Sequence, residues 1–190
     1  MPSWLKEGRG SLCGANVSLL LREMGITKPL LVAGERTKNV FFARTGMRLP
    51  VFDAFHPNPD LQDCVAGAAL YQEKGCDGLI SIGGGSAMDT AKGIKALLMT
   101  DIAHVRANQL PSEGNVPHLA IPGTAGTGAE TTAVAVLYEN GQKLSVDHPA
   151  LLPDGVLLDG SLLDTLPEYH RKSCAMDALA QGIESWWAKK

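Results

Sequence analysis

The segment from Asp77 to Lys92 constrains this chain more than any other. Leu79, Ile80 and Ile82 form the short apolar run of a strand buried on both faces. Gly83, Gly84 and Gly85 follow, and their backbone can take angles closed to other residues and come close to a ligand. Ser86 is expected to cap the next helix, with Asp89 three residues on as the acidic partner of a capping box. Free N–H groups at such a helix start attract a phosphate. A plain strand-to-helix turn needs one glycine, whereas here there are three. The run has neither the spacing of the dinucleotide fingerprint nor the Gly-Lys-Ser/Thr ending of the P-loop. Spacing alone therefore predicts a phosphate-bearing ligand and nothing narrower.

The rest of the chain supplies alternating elements. A helix is expected over 12–24, then a strand over 30–34, a polar loop at Glu35 to Lys38, and a short helix near Val40 to Arg44. A second strand is read at 50–55. After it His56-Pro57-Asn58-Pro59 breaks the chain, with Asn58 as cap and Pro59 at the first helical position. Leu61, Cys64, Val65, Ala68 and Ala69 recur at helical spacing up to Gly75, which places Cys64 as a small buried hydrophobe. After the glycine segment and its helix come a loop over 110–117 and a strand over 118–122. A second glycine-rich stretch, Gly123 to Glu130, follows that strand. Two such loops at strand ends predict one cleft along the edge of an open α/β sheet. An Asn140-Gly141 hairpin, a short strand over 156–159 and a last helix from about Arg171 complete the pattern.

Bulk properties exclude several classes. The chain has 190 residues and a formal net charge of −3, enough for one domain with a small appendage. No basic run suggests nucleic acid, no apolar run spans a bilayer, and Met1 to Glu7 lacks the apolar core of a signal peptide. Cys13, Cys64, Cys76 and Cys174 form no C-x-x-C pair, so a reducing cytoplasm is the expected compartment.

Three blocks resemble the iron-containing (group III) alcohol dehydrogenases, which are related in fold to dehydroquinate synthase. They are Gly83-Gly84-Gly85-Ser86-Ala87-Met88-Asp89-Thr90-Ala91-Lys92, Ile121-Pro122-Gly123-Thr124-Ala125-Gly126-Thr127-Gly128-Ala129-Glu130, and Met176-Asp177-Ala178-Leu179-Ala180-Gln181-Gly182-Ile183-Glu184. The resemblance covers essentially the whole chain. It implies a Rossmann-like parallel sheet with flanking helices over 1–168 and the start of an all-helical metal and substrate domain over 169–190. Gly83, Gly84, Gly85 and Ser86 would hold the pyrophosphate of NAD(P), with Asp89 of the same motif counted among the cofactor-binding residues. Thr124 and Thr127 would border the ribose–nicotinamide end, and Lys143 would contact the ribose. Hydride would pass between the nicotinamide and a small aldehyde or alcohol.

The chain departs from the family pattern in three ways. The family's metal, iron or zinc, is held by one Asp and three His. Asp177 stands at the first position, but Gln181 replaces the first His, a feature similar to the phosphonoacetaldehyde reductase-like branch and its anionic aldehyde. The other two His positions would lie beyond Lys190, so this chain alone is expected to bind nucleotide without turning over. His56, His104, His118, His148 and His170 match neither position and are expected at the surface or in loops. Gly34 replaces the Asp that faces the ribose 2′-OH in NAD-preferring members. Arg36 or Lys38 could then pair with a 2′-phosphate, and NADP(H) is favoured over NAD(H). Two other readings stand beside the dehydrogenase: a dehydroquinate synthase-like lyase, and a non-catalytic nucleotide-binding domain completed by a partner chain. A homodimer is compatible with all three. Ile183, Trp186 and Trp187 are expected to pack back on the sheet or on a neighbouring molecule.

Overall fold

The computed structural model describes residues 5–112, 114–164 and 166–188. Its centre is a six-stranded sheet in the order β1 (Leu5–Glu7), β8 (Gly155–Leu158), β5 (His118–Pro122), β4 (Gly78–Gly83), β2 (Pro29–Ala33), β3 (Val51–Phe52), with all pairings parallel. Every residue of β2, β4 and β5 is buried, as expected of strands covered on both faces. Two apolar clusters lie on opposite sides. One joins Leu30, Val32 and Leu79 to Leu61, Cys64, Ala91 and Ile94, from α3 (Leu61–Lys74) and α4 (Gly85–Met99). The other joins Leu31, Ile80, Ile82 and Ile121 to Val17, Leu20 and Phe41, from α1 (Gly14–Glu23) and α2 (Glu35–Thr45). The alternation of strands and helices thus produces the α/β architecture that the sequence predicts.

The register matters for function. Ala33 of β2 lies opposite Ile82 of β4, and Ile82 opposite Ile121 of β5. Three strands therefore end level, and Gly34, Gly83 and Gly123 leave the sheet at the same edge. An antiparallel hairpin, β6 (Val134–Glu139) with β7 (Gln142–Asp147), packs on α4 through Ala135, Leu137 and Val146.

Several local expectations are corrected. α2 starts at Glu35, directly after Gly34, so the expected polar loop over 35–38 is the first turn of a longer helix. Asp60, not Asn58, caps α3. Its carboxylate accepts from Gln62 N at 2.9 Å, Asp63 completes the capping box, and Asn58 sits at a φ of 58°. Gly84, not Ser86, is the N-cap of α4, and no side chain caps it. The edge strand β1 and the short helix α5 (Ile102–Arg106) were not legible in the pattern. His118 is fully buried inside the sheet layer rather than at the surface, with Nε2 2.8 Å from Ser81 Oγ.

The last helix, α6 (Glu168–Trp187), begins three residues before the expected start and has no buried residue. Trp186 and Trp187 are 87% and 77% exposed and Ile183 is 42% exposed, so these side chains do not fold back on the sheet as expected. Met176 and Leu179 on the same helix are exposed as well, and α6 meets the body of the protein at the glycine-rich loop before the 3-10 turn Ala129–Thr131 rather than at the core.

Candidate active site

Two glycine-rich loops make the site. Gly83 ends β4 with φ at 151°, a conformation that disfavours a side chain, and a Cβ there would stand 3.0 Å from Ala87 Cβ. The second loop leaves β5 and is bound to the first where Gly123 N donates to Gly83 O at 2.6 Å. Added Cβ atoms at Gly84 and Gly85 would meet Thr124 and Thr127 at 3.3 Å. The sequence-predicted residues Gly83, Gly84, Gly85, Thr124 and Thr127 are thus brought into direct contact. Larger residues at the glycines would drive the threonines away.

A cleft of about 330 Å³ runs from this junction to the end of β2, lined by Gly34, Glu35, Arg36, Thr37, Phe55 and the loop from Gly83 to Ala87. Two helices, α2 and α4, start on it. Their N-caps are Gly34 and Gly84, and neither start carries a side-chain cap. Their first-turn N–H groups and positive dipole ends therefore lie at one cleft, which suits a phosphate group. Ser86 lines the cleft inside the first turn of α4, and its Oγ accepts from Asn58 N at 3.3 Å. That bond ties the His56-Pro57-Asn58-Pro59 turn to the phosphate loop.

Other predicted residues sit elsewhere. Asp89 turns away from the cleft towards the hairpin, where Val136 N donates to it. Burial pushes its carboxyl up to about 6, while Lys92 and Lys143 oppose that rise. Lys143 lies on β7 opposite Tyr138, so it faces Asp89 from across the hairpin. Lys38 is held by Asp53 at 2.7 Å and Glu35 at 2.5 Å, and its bond to Asp53 is the largest cause of its raised pKa. Arg36 lies on the cleft.

Asp177 and Gln181 come together one helical turn apart, as predicted, but as a hydrogen-bonded pair. Gln181 Nε2 donates to Asp177 Oδ1 at 3.2 Å and to Gly126 O at 3.3 Å. Among the described residues no group of three His, Cys, Asp or Glu side chains could hold a metal ion. The described residues therefore do not make a metal centre, and Asp177 with Gln181 supplies two donors at most. Close packing joins α6 to the site at one point: a Cβ on Gly126 would stand 2.8 Å from Cys174 O. Sequence reasoning missed this contact, as it missed the buried Lys92. Nothing in residue type marked the first, and the charge of Lys92 masked the second.

Comparison with known proteins agrees with this geometry. The family model for iron-containing alcohol dehydrogenase matches residues 2–160. A probable alcohol dehydrogenase, EutG of Escherichia coli, is 36% identical over 169 residues, covering 86% of this chain and 40% of that protein. The 4-hydroxybutyrate dehydrogenase of Cupriavidus necator is 35% identical over 188 residues, covering 90% and 49%. Among solved structures, sulfoacetaldehyde reductase from Bifidobacterium kashiwanohense in complex with NAD+ superposes with a TM-score of 0.87 at 30% identity, covering 99% of this chain and 52% of that one. The chain thus spans about half the length of these relatives.

Proposed function

The chain belongs to the iron-containing alcohol dehydrogenase family, and from that premise we propose that it is the dinucleotide-binding part of an NAD(P)H-dependent alcohol dehydrogenase or aldehyde reductase. The observation that carries the reading is the junction of the two loops. The Gly123 N to Gly83 O bond seats them side by side where the uncapped starts of α2 and α4 share a cleft.

When bound, the nicotinamide supplies or accepts the hydride exchanged with a small aldehyde or alcohol. The chain's own part is binding and orientation. N–H groups from Gly83 to Ser86 would hold the pyrophosphate, and Thr124 and Thr127 would border the nicotinamide half. Asp89 and Lys143 would act from beneath, fixing α4 to the hairpin. An anionic aldehyde is supported by the Gln181 substitution and by the relative named for sulfoacetaldehyde, itself an anionic aldehyde. We place the start of a second, helical domain at 169–190; an α6 with no buried residue supports that division, and in the family such a domain would bring further metal donors to Asp177 and Gln181. The relatives described above are dehydrogenases and a reductase, which supports hydride transfer over a lyase.

NADPH is the preferred cofactor in this reading. Gly34 brings no carboxylate to the cleft, the Glu35 carboxylate on it is paired with Lys38, and the Arg36 guanidinium on the same cleft adds positive charge. Calorimetric titration of the 190-residue chain with NADPH and NADH, with and without Fe²⁺ or Zn²⁺, tests the whole proposal. NADPH binding tighter than NADH and indifferent to metal is the expected result. Binding of neither nucleotide would count against it, and tighter NADH would remove the NADPH preference.

A further inference from the structure

Among the described residues, Lys92 is one of two lysines with no exposed side-chain surface. It lies on α4 two turns beyond Gly85, with its ammonium under the segment that follows the second glycine-rich loop. Its Nζ donates to Ala129 O at 2.7 Å, to Val134 O at 2.8 Å and to Thr132 Oγ1 at 3.0 Å. An ammonium has three protons, and this arrangement uses all of them.

A lysine buried this completely is expensive to keep. Burial pushes its pKa down to about 8, while Asp89 on its own helix and Glu130 on the facing turn favour the charged form; His118 faces it from β5. Thr132 already bonds Ala129 O through its N–H at 3.5 Å and its Oγ1 at 3.4 Å, whereas Val134 lies on β6, so the ammonium bridges the turn at the end of the loop to the start of the hairpin. At its other end the same loop is held by Gly123 N on Gly83 O. Both anchors belong to one unit, the β4–α4 corner that carries the first glycine loop.

We propose that Lys92 is a positioning residue: it fixes the far end of the second glycine-rich loop to the helix that bears the first, and so sets where Thr124 and Thr127 meet the nicotinamide half of the nucleotide. The proposal rests on the dinucleotide reading above. Its physical content is that α4 serves both halves of the ligand. Its first turn faces the pyrophosphate directly, and Lys92 reaches the nicotinamide half through the loop.

Lys95, one turn further on and equally buried, provides the internal control. Its ammonium pairs with Asp154 at 3.0 Å, ahead of β8, and touches neither glycine loop. Loss of either lysine removes a buried charge, but only Lys92 bears on residues 123–132.

The test compares Lys92→Met and Lys95→Met with the unaltered 190-residue chain. Hydrogen exchange is followed over residues 123–132, and affinity is measured for NADPH and for ADP, which lacks the nicotinamide half. Lys92→Met is expected to speed exchange within 123–132 and to weaken NADPH about tenfold or more, with ADP changed by no more than about twofold. Lys95→Met is expected to leave exchange in that segment unaltered. Unchanged exchange over 123–132 in Lys92→Met overturns the proposal, and so does an equal loss of ADP and NADPH affinity, the mark of a merely structural lysine. If the unaltered chain binds neither nucleotide, the dinucleotide reading fails, while the exchange data still decide whether Lys92 anchors the loop. Should Lys92→Met not fold, Thr132→Val removes one of the three acceptors and is expected to give a smaller rise in exchange confined to the same segment; no rise would overturn the anchor.

Discussion

Replacing Gly93 by alanine tests how α4 is held in place. A glycine inside a helix costs about 0.5–1 kcal/mol relative to alanine, so at an open site the change would stabilise the chain. Gly93 is not at an open site. Its Cβ would stand 2.4 Å from Cys64 Sγ, 3.1 Å from Leu137 Cδ1 and 3.2 Å from Cys64 Cβ. Ordinary carbon contacts lie at about 3.5–4.0 Å, so α3 or the hairpin must shift by more than an ångström at the sulfur. Cys64 has no exposed surface and cannot swing out. Overpacking of this kind costs about 1–3 kcal/mol, and a contact as short as 2.4 Å belongs in the upper half of that range, so the net loss after the helix gain is about 1–2.5 kcal/mol. For a domain of this size that is a fall of about 2–10 °C in Tm. Differential scanning calorimetry on Gly93→Ala, Cys64→Ala and the double variant measures it. Removing the sulfur relieves the worst contact, so the double variant is expected to be more stable than the sum of the singles by about 1 kcal/mol. A Gly93→Ala protein that melts no lower than the unaltered chain would refute the reasoning, as would a double variant with purely additive losses.

Two more predictions concern the site and its support. Gly83→Ala forces a side chain onto a φ of 151° and against Ala87, a strain of about 1–3 kcal/mol, so NADPH affinity is expected to fall about tenfold with the circular dichroism spectrum retained; undiminished affinity would show that the loop does not need this conformation. His118 is predicted to make stability depend on pH. Burial, with the charges of Lys95 and Lys92, pushes its pKa well below the usual 6.5. The unfolded chain then takes up a proton that the folded one refuses, and stability falls as pH drops below about 6.5. Asp89, raised to about 6, works in the opposite sense, because its folded form takes the proton first. The measurement is therefore Tm at pH 7 and pH 5 in the unaltered chain and in His118→Asn. The fall should be smaller in the variant, and an equal fall would remove His118 as its source.

Legibility in the sequence followed the local physics. The apolar run from Leu79 to Ile82 and the three glycines after it define strand, turn and helix start without help from the rest of the chain. Gly75 ends α3 in the left-handed conformation, as a C-terminal glycine should. Ser86 misled because serine is a favoured cap. The chain instead leaves β4 so abruptly that Gly84 takes the cap position and Ser86 falls inside the first turn. β1 carries only three residues at a sheet edge, too few to show a period. His118 looked like a loop or surface residue because imidazole is polar, yet in the fold it finds Ser81 on the adjacent strand.

The sequence by itself determined the parallel α/β class, the two glycine loops and the family, because each depends on neighbours along the chain: period, turn chemistry and motif. Only the tertiary structure decided how those loops become one site. Register placed Gly83 opposite Pro122 and so beside Gly123, removal of side chains at Gly84 and Gly85 let Thr124 and Thr127 close in, and burial made Lys92 the anchor of a loop whose Ala129 lies thirty-seven residues away. Such contacts join residues far apart in the chain, and their energies depend on desolvation and packing that no local window contains.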